Sequence, residues 1–325
     1  MKTQVISSEN LILIDWLTFT TKIFSENDLI SMLHLGDVAW EHKDAYRYGY
    51  SHRCSFGGIT ILSGGHSEDM GICVDISGQG CRCFEDYSSL SWLDLFQILT
   101  CEFNEFNITR LDLAYDDHTG ILDIGTLLDY TDHGWYRSKS RYWLVEYGST
   151  GTCIYHGSVK SDIRFRIYDK AAERGLLDGT HWIRVEQQLR GDRSKLAVSH
   201  IVERRSVGSV FTSILQDYLV YVEPSETDSN KSRWAVCSFW SELLSGASDI
   251  TLTADPGMEY NIWRLRSTIL EQYSGAIYTW IQIHGIDDLV DLIKERRSPL
   301  NPKHKMLLQQ YQKLKSEGGS CEENF

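Results

Sequence analysis

The chain has 325 residues, of which 42% are hydrophobic and ten are tryptophan, which excludes a disordered protein and allows one large or two smaller domains. No stretch is long and apolar enough for a membrane-spanning helix and no signal peptide opens the sequence, so a cytoplasmic protein is expected. The net charge of −13 argues against DNA binding by the chain as a whole, because phosphate contacts dominate such binding.

The charge is unevenly distributed along the chain. Residues 134–206 hold 14 Lys and Arg against 8 Asp and Glu, and residues 294–315 hold 7 Lys and Arg against one Glu, so each segment carries +6. A polarised protein can present a positive surface to DNA while its remaining surface repels it. We therefore expect DNA contacts in these two segments, with marked sensitivity to salt.

The first hundred residues alternate between strand and helix patterns. A strand is predicted over 10–20, a helix over 25–35 with Ser25 as its N-cap, a hairpin over 46–62 that turns at Gly57-Gly58, a strand over 71–77 that ends in a bend at 78–80, and a helix over 88–105. The eight cysteines lack zinc-binding spacing and are expected to be reduced thiols, with Cys81 and Cys83 on one face of a strand.

Three later segments predict strands with one apolar and one ionic face, over residues 108–116, 163–170 and 181–189. Successive side chains of a strand point to opposite faces. The ionic faces then hold these residues: Arg110, Asp112, Asp116, Arg164, Arg166, Tyr168, Lys170, Arg184, Glu186 and Gln188. If the strands share one sheet and one core side, their ionic faces coincide. Ordinary cross-strand ion pairing at a surface is the alternative.

Tyr168 is the candidate nucleophile on this ionic face. Tyrosine can form a covalent intermediate, and Arg166, Arg184 and Lys170 would offset the charge that builds on a phosphate. An unperturbed tyrosine titrates near a pH of about 10, so these cations would have to favour the phenolate. Asp112 and Glu186 offer the oxygen ligands that a hard divalent cation prefers, so Mg²⁺ or Mn²⁺ is expected rather than zinc.

The remaining segments set the expected domain division. Residues 136–143 interleave cations and aromatics, which suits contacts to phosphates and unpaired bases as well as it suits a solvated loop. The polar, proline-containing segment 223–232 marks a boundary. We predict a catalytic domain over 1–222 and a helical region over 223–325, with helices at 234–244, 260–284, 286–296 and 303–315. This region is interpreted as a dimerisation element, or as a cap packed on the first domain.

Six ordered segments resemble the Rep_trans-type replication initiation factors of rolling-circle plasmids and filamentous phages. They lie at residues 13–20, 74–82, 109–116, 154–158, 166–170 and 182–186. No single segment is decisive, but their order is specific. The resemblance implies an α+β fold with an antiparallel-rich central sheet, helices packed on one side and a helical C-terminal region. It makes residues 1–222 the expected DNA-nicking domain and residues 223–325 an expected origin-recognition or dimerisation element.

The resemblance also implies a reaction. Tyr168 would attack origin DNA, become 5′-phosphotyrosyl and leave a 3′-OH primer, with Asp112 and Glu186 at the family's metal positions. Asp15 and Asp75 are weaker metal candidates, and Asp15 is predicted to share a face with Leu17 and Phe19.

Many rolling-circle initiators and relaxases instead bind their metal through two histidines separated by one residue. None of the eleven histidines here has that spacing, and His156 and His181 are expected to be hydrogen-bonding residues rather than ligands. The expected partner is origin DNA, single-stranded or in a hairpin at the nick site. A host helicase and a second copy of the chain are candidate partners, and no membrane is expected.

Two other functions fit the same residues. A non-catalytic regulator on the same scaffold would bind the origin and recruit a host helicase or recombinase without cutting. A metal-dependent nuclease would cut without a covalent intermediate, and a trapped protein–DNA adduct distinguishes it from a nicking enzyme.

Overall fold

The computed structural model describes residues 10–100, 105–149, 151–176, 179–249 and 273–296, together with positions 269 and 308. Its strands are β1 (Leu11–Thr21), β2 (Glu41–Arg47), β3 (Tyr50–Phe56), β4 (Ile59–Gly65), β5 (Ile72–Ile76), β6 (Phe106–Asp117), β7 (Tyr136–Ser138), β8 (Trp143–Gly148), β9 (Gly151–His156), β10 (Ile163–Asp169), β11 (Ile183–Arg190) and β12 (Leu219–Tyr221). Ten of them form one antiparallel sheet in the order β2-β3-β4-β5-β1-β6-β11-β10-β9-β8, and β7 pairs with β12.

The helices are mostly short and several begin at side-chain caps. They are α1 (Glu26–Met32), α2 (Gly78–Tyr87), α3 (Trp92–Leu99), α4 (Ile124–Asp132), α5 (Lys170–Glu173), α6 (Asp192–Arg204), α7 (Val207–Tyr218), α8 (Ser238–Asp249), α9 (Ser274–His284) and α10 (Ile286–Arg296), with single 3₁₀ turns at Glu68–Met70 and Lys231–Arg233. The predicted N-cap Ser25 is confirmed and forms a capping box with Asp28. Ser91 and Asp94 form a second capping box at α3.

The apolar faces of the central strands pack against helices. Leu113 on β6, Val185 on β11 and Ile167 on β10 belong to one buried cluster with side chains of α2, α3, α6 and α7, among them Phe96 and Phe211. Burial of such side chains is the main favourable term in folding. The predicted α+β fold with an antiparallel sheet is confirmed, and the packing leaves the opposite, polar side chains of β6, β10 and β11 on the other face.

The strand register places these polar side chains opposite one another. Arg166 on β10 lies opposite Glu186 on β11, and Tyr168 lies opposite Arg184. On the other side of β11, Gln188 lies opposite Asp112 on β6. The three strands predicted from the sequence are therefore immediate neighbours with their ionic faces on one side.

Two predictions for the first hundred residues are wrong. The bend at 78–80 is the first turn of α2, so Cys81 and Cys83 lie on a helix and not on a strand. Asp15 does not share the face of Leu17 and Phe19, because the register between β1 and β6 shifts between Ile14 and Trp16. A bulge of this kind turns one side chain to the other face.

The segment after residue 222 continues the same core. Trp240 on α8 is fully buried in the main cluster and its indole donates to the Leu219 carbonyl at 3.2 Å. The proposed division at 222/223 stays a prediction. The helix predicted over 286–296 is confirmed as α10, and the last part of the helix predicted over 260–284 is α9. The helix predicted over 303–315 lies outside the described residues, apart from position 308.

No helix in the described part of the chain combines the length and the apolar character that crossing a membrane requires.

Candidate active site

The polar face of β10, β11 and β6 brings the predicted site residues together. Tyr168, Glu186 and Asp112 lie on three adjacent strands and are 5%, 2% and 1% exposed. Lys170 begins α5 directly after β10 and is also buried. Charged side chains are rarely buried unless they are paired, so the partners of each group determine what the site can do.

The Tyr168 hydroxyl lies between an acceptor and a donor. It donates to Glu186 Oε2 at 3.4 Å, and Lys170 Nζ donates to its oxygen, also at 3.4 Å. The guanidinium carbon of Arg166 lies 4.9 Å from the centre of the Tyr168 ring. Both hydrogen bonds are long, and catalytic hydrogen bonds often tighten only when substrate is bound.

The phenol is held in its protonated form. Burial and the Glu186 carboxylate raise the pKa of Tyr168 well above its ordinary value, and the charges of Arg184 and Arg166 only partly oppose this rise. The neighbouring cations therefore do not lower the pKa of Tyr168 below its ordinary value, as a phenolate nucleophile would need. A buried phenol needs a base to become a nucleophile, and Glu186 is the carboxylate that already accepts its hydrogen bond.

Lys170 is perturbed in the opposite direction. Burial lowers the pKa of its ammonium, and the positive charge of Arg184 lowers it further, whereas Glu173 opposes both effects. Lys170 also forms an ion pair with Glu173. A buried lysine with a lowered pKa gives up a proton more readily than a solvated one.

Glu186 is the most connected carboxylate on this face. Its Oε2 accepts from Arg166 Nη1 at 3.1 Å and its Oε1 accepts from Gln188 Nε2 at 2.9 Å, in addition to the Tyr168 contact. Arg166 is only partly buried and pairs with this one carboxylate among the described residues. Part of the Arg166 side chain is therefore open to solvent next to Tyr168, where it can contact a phosphate.

Arg184 is placed differently from its prediction as a phosphate ligand. Its Nε and Nη2 donate to the two oxygens of Asp116 at 2.6 and 2.7 Å, and its Nη1 donates to Asp15 at 2.8 Å. The side chain is 5% exposed. A guanidinium held in this way ties β11 to β6 and to the bulge of β1, and it would have to leave a carboxylate to reach a phosphate.

Asp112 is a buried carboxylate with an arginine and two other carboxylates nearby. Arg110 donates from Nε to its Oδ1 at 2.9 Å and from Nη2 to its Oδ2 at 2.5 Å. Burial, together with the Glu186 and Asp15 carboxylates, outweighs this arginine and raises the pKa of Asp112 above its ordinary value. A carboxylate in this state gains from an added positive charge.

The residues of this face offer oxygen atoms of the kind that a hard metal ion prefers. Gln188 lies between Asp112 and Glu186, and its Oε1 is a buried oxygen with no hydrogen-bond partner among the described residues. Oxygen atoms of Asp, Glu and Gln are the ligands that Mg²⁺ and Mn²⁺ accept. Within the described ranges, no three His, Cys, Asp or Glu donors of this face come within 4.8 Å of one another. The metal assignment of Asp112 and Glu186 therefore stays a prediction, to which the structure adds Gln188.

The other sequence candidates lie apart from Tyr168. Asp75 on β5 is buried and accepts from Arg47 at 2.7 Å, from the Trp16 indole at 2.7 Å and from Thr18 at 2.8 Å. His156 lies in the core, with Nε2 3.1 Å from the Tyr221 hydroxyl.

His181 pairs with Asp117 at 3.1 Å. In the segment 136–143, Lys139 pairs with Asp217 and Arg137 donates to the Ser232 carbonyl at 3.0 Å, whereas Tyr142 and Trp143 are 48% and 43% exposed. These two rings are available for contact with unpaired bases.

Sequence reasoning gave no role to Asp116, Gln188 or Tyr155. All three lie on the polar face, where Asp116 holds Arg184 and the guanidinium carbon of Arg164 lies 4.1 Å from the centre of the Tyr155 ring. The alternation on β6 and β11 already placed Asp116 and Gln188 on the ionic face. Tyr155 would have followed from the same rule applied to β9, where it lies opposite Arg166.

Comparison with known proteins decides the family. A family model described as replication initiation factor (Rep_trans) matches residues 106–292, which span β6, β10 and β11. The chain belongs to this family. A second model, the rolling circle replication initiation protein N-terminal domain, matches residues 11–99, so the resemblance drawn from the sequence is confirmed.

Individual relatives agree with the family. The chain is 25% identical over 330 residues to the protein named "Putative DNA relaxase NicK" of Bacillus subtilis (strain 168), across 95% of this chain and 92% of that protein. It is similar to the structure of a rolling circle replication initiator protein from Geobacillus stearothermophilus, with a TM-score of 0.69 and 28% identity, covering 76% of this chain and 99% of that one. The protein is thus a replication initiation factor of the rolling-circle type.

Proposed function

We propose that this initiation factor nicks one strand of an origin with Tyr168 as the covalent nucleophile. The supporting observation is the Tyr168 hydroxyl, which lies within 3.4 Å of both a buried carboxylate and a buried ammonium on the ionic face of the sheet. A hydroxyl between a base and a cation is the arrangement that a phosphoryl-transfer nucleophile needs.

The reaction is a transesterification at one phosphorus. The Tyr168 oxygen attacks the phosphorus and its proton passes to Glu186, the acceptor of its hydrogen bond. A bond forms between the phenol oxygen and the phosphorus, and the bond to the 3′ oxygen breaks. The products are a 5′-phosphotyrosyl link and a 3′ alkoxide, which takes a proton from solvent to become the 3′-OH that primes synthesis.

Arg166 and Lys170 are the cations that offset the developing negative charge. Arg166 contacts Glu186 and lies over the Tyr168 ring, and Lys170 reaches the attacking oxygen. Positioned cations of this kind stabilise a transition state more than a ground state. Arg184 acts by holding Asp116 and Asp15, and with them the strand that carries Glu186.

Asp112, Glu186 and Gln188 are the residues that would hold Mg²⁺ or Mn²⁺, and the bound ion would neutralise charge on the scissile phosphate and the leaving oxygen. The chain's own groups remain responsible for nucleophile, base and positioning. Because Tyr168 is only 5% exposed, the scissile strand must be unpaired and the side chains around the phenol must move for a phosphate to reach it. A host helicase and a second copy of the chain stay candidate partners.

Cleavage of a supercoiled or single-stranded origin by Tyr168→Phe tests the proposal. The wild type should form a covalent protein–DNA adduct in Mg²⁺ or Mn²⁺, and the variant should form none while it retains origin binding. Tyr155→Phe is the matched control, since Tyr155 lies on the adjacent strand and the same face. An undiminished adduct in Tyr168→Phe would refute the mechanism.

The burial of Tyr168 also favours a second candidate, a non-catalytic origin-binding regulator. In that case the wild type binds the origin tightly and cuts neither supercoiled nor single-stranded DNA in either metal. Cleavage without an adduct would instead identify a metal-dependent nuclease that uses water.

A further inference from the structure

A cluster of side chains of the types that can bind a metal lies far from Tyr168. Glu26 in the first turn of α1, His42 on β2 and Cys54 on β3 come together at the β2 edge of the sheet. β2 and β3 lie at the opposite end of the strand order from β10 and its neighbours β9 and β8. Nothing in the nicking reaction uses these residues.

Two of the three positions are fixed by strand register. His42 and Cys54 are direct cross-strand partners in the antiparallel pair of β2 and β3, and such partners hold their Cβ atoms about 5 Å apart. The capping box of Ser25 and Asp28 fixes the start of α1, which orients Glu26 toward the same point. A donor atom from each residue lies within 4.8 Å of donor atoms from the other two.

The imidazole lies between the other two groups. His42 Nδ1 is 3.5 Å from Glu26 Oε1, and its Nε2 is 3.8 Å from Cys54 Sγ. The thiol is fully buried, whereas the Glu26 and His42 side chains are 25% and 67% exposed. The cluster is thus open to solvent on the imidazole side, where an ion can enter and water can complete its coordination. Because a different ring nitrogen faces each partner here, the exposed ring has to rotate before one nitrogen can share an ion with the carboxylate and the sulfur.

The electrostatics of the cluster are unbalanced without a cation. Burial, followed by the adjacent Glu26 carboxylate, raises the pKa of the Cys54 thiol to about 12. No Lys or Arg forms an ion pair with Glu26 among the described residues. The Glu26 carboxylate repels the negative charge of a Cys54 thiolate. A divalent cation bound between these two groups would attract both charges, and a thiol that coordinates a metal is deprotonated.

We propose that Glu26, His42 and Cys54 form a binding site for a divalent transition metal ion of the Zn²⁺ type. Thiolate and imidazole ligands select Zn²⁺ or Co²⁺ over Mg²⁺, and three protein ligands plus one water complete a tetrahedral shell. Binding releases the thiol proton to solvent and forms one bond from the metal to each ligand. The ion would fix α1 to the β2–β3 edge, and it is chemically distinct from the hard cation expected beside Asp112.

Titration of the metal-stripped, full-length protein with Co²⁺ tests the site. One equivalent should produce a thiolate-to-cobalt charge-transfer band and the visible spectrum of a tetrahedral ion, and Zn²⁺ should abolish both. Cys54→Ser should remove the charge-transfer band. Cys83→Ser is the control, because Cys83 is also largely buried but belongs to no such cluster among the described residues.

His42→Asn guards against a folding defect, since His42 is mostly exposed. This variant should fold normally and lose more than about tenfold in Co²⁺ affinity. Zn²⁺ should raise the melting temperature of the wild type and not that of His42→Asn. A titration without a thiolate band, or a band that survives in Cys54→Ser, would overturn the proposal. Both readouts are independent of DNA cleavage.

Discussion

Replacement of Arg184 by methionine tests whether this arginine is a structural clamp. The substitution keeps much of the apolar stem and removes three hydrogen bonds to Asp116 and Asp15. Asp116 is 2% exposed and would remain as a buried, unpaired carboxylate. Removal of one partner of a buried ion pair costs about 3–5 kcal/mol, mainly because of the charge that is left behind.

We therefore expect Arg184→Met to lower the free energy of unfolding by about 3–5 kcal/mol in urea denaturation at neutral pH. The double variant Arg184→Met/Asp116→Leu should recover part of this loss, because the stranded carboxylate is gone. Arg164→Met is the control. Arg164 lies on β10, on the same face of the sheet as Arg184, but it has no ion pair among the described residues. This substitution should lower the free energy of unfolding by about 1 kcal/mol or less.

If Arg184→Met lowers the free energy of unfolding by an amount within about 1 kcal/mol of the Arg164→Met control, Arg184 is not a structural clamp. It would then be a candidate phosphate ligand, as the sequence predicted. A double variant less stable than Arg184→Met would equally contradict the assignment of the loss to Asp116. Stability is the informative measurement here, because both roles predict a loss of nicking.

Three further predictions concern the pH dependence, the base and the metal. Burial lowers the pKa of His156 to about 3. Below about pH 6.5 the unfolded chain therefore binds a proton that the folded chain does not, and the free energy of unfolding decreases as the pH is lowered. Between about pH 6.5 and 5 the wild type should lose about 1.5 kcal/mol more than His156→Gln in urea denaturation, and equal losses would refute the assignment to His156. Glu186→Gln should slow adduct formation by about 100- to 10,000-fold in single-turnover assays, and an unchanged rate would exclude Glu186 as the base. Gln188→Leu should weaken Mn²⁺ binding about tenfold in calorimetry, and equal affinities would exclude Gln188 as a ligand.

The sequence predicted the central strands well because apolar and polar residues alternate along their middle parts. The alternation is strict over residues 110–113, 163–168 and 183–186, so the face shared by Tyr168, Glu186 and Asp112 followed from parity alone. It breaks outside these stretches, as at Gln187, which lies on the core side of β11 and donates to the Phe211 carbonyl. The prediction failed for β2, whose sequence EHKDAYR has no apolar side. An edge strand of this composition is stabilised by its backbone pairing with β3 and avoids aggregation through its charges.

The glycines at 78–80 misled for a different physical reason. Gly80 lies inside α2 because the helix approaches the β3–β4 turn closely, and a Cβ on Gly80 would lie 2.5 Å from the Gly58 carbonyl oxygen. Sequence pattern cannot distinguish such a packing glycine from one that forms a bend. The site was likewise predicted only in outline. The pattern of a single strand shows neither the bulge that brings Asp15 to Arg184 nor the burial that raises the pKa of Tyr168, because both depend on neighbouring strands.

Three arginines around Tyr168, namely Arg110, Arg166 and Arg184, each pair with a carboxylate, and this pairing has a consequence for target search. A face whose cations are already neutralised by its own carboxylates projects little field into solution, and it releases few condensed ions when a phosphate arrives. If Tyr168 nicks an origin as proposed, random duplex gains little by contacting this face. A phosphate would then replace a carboxylate on a guanidinium only where the strand is already unpaired.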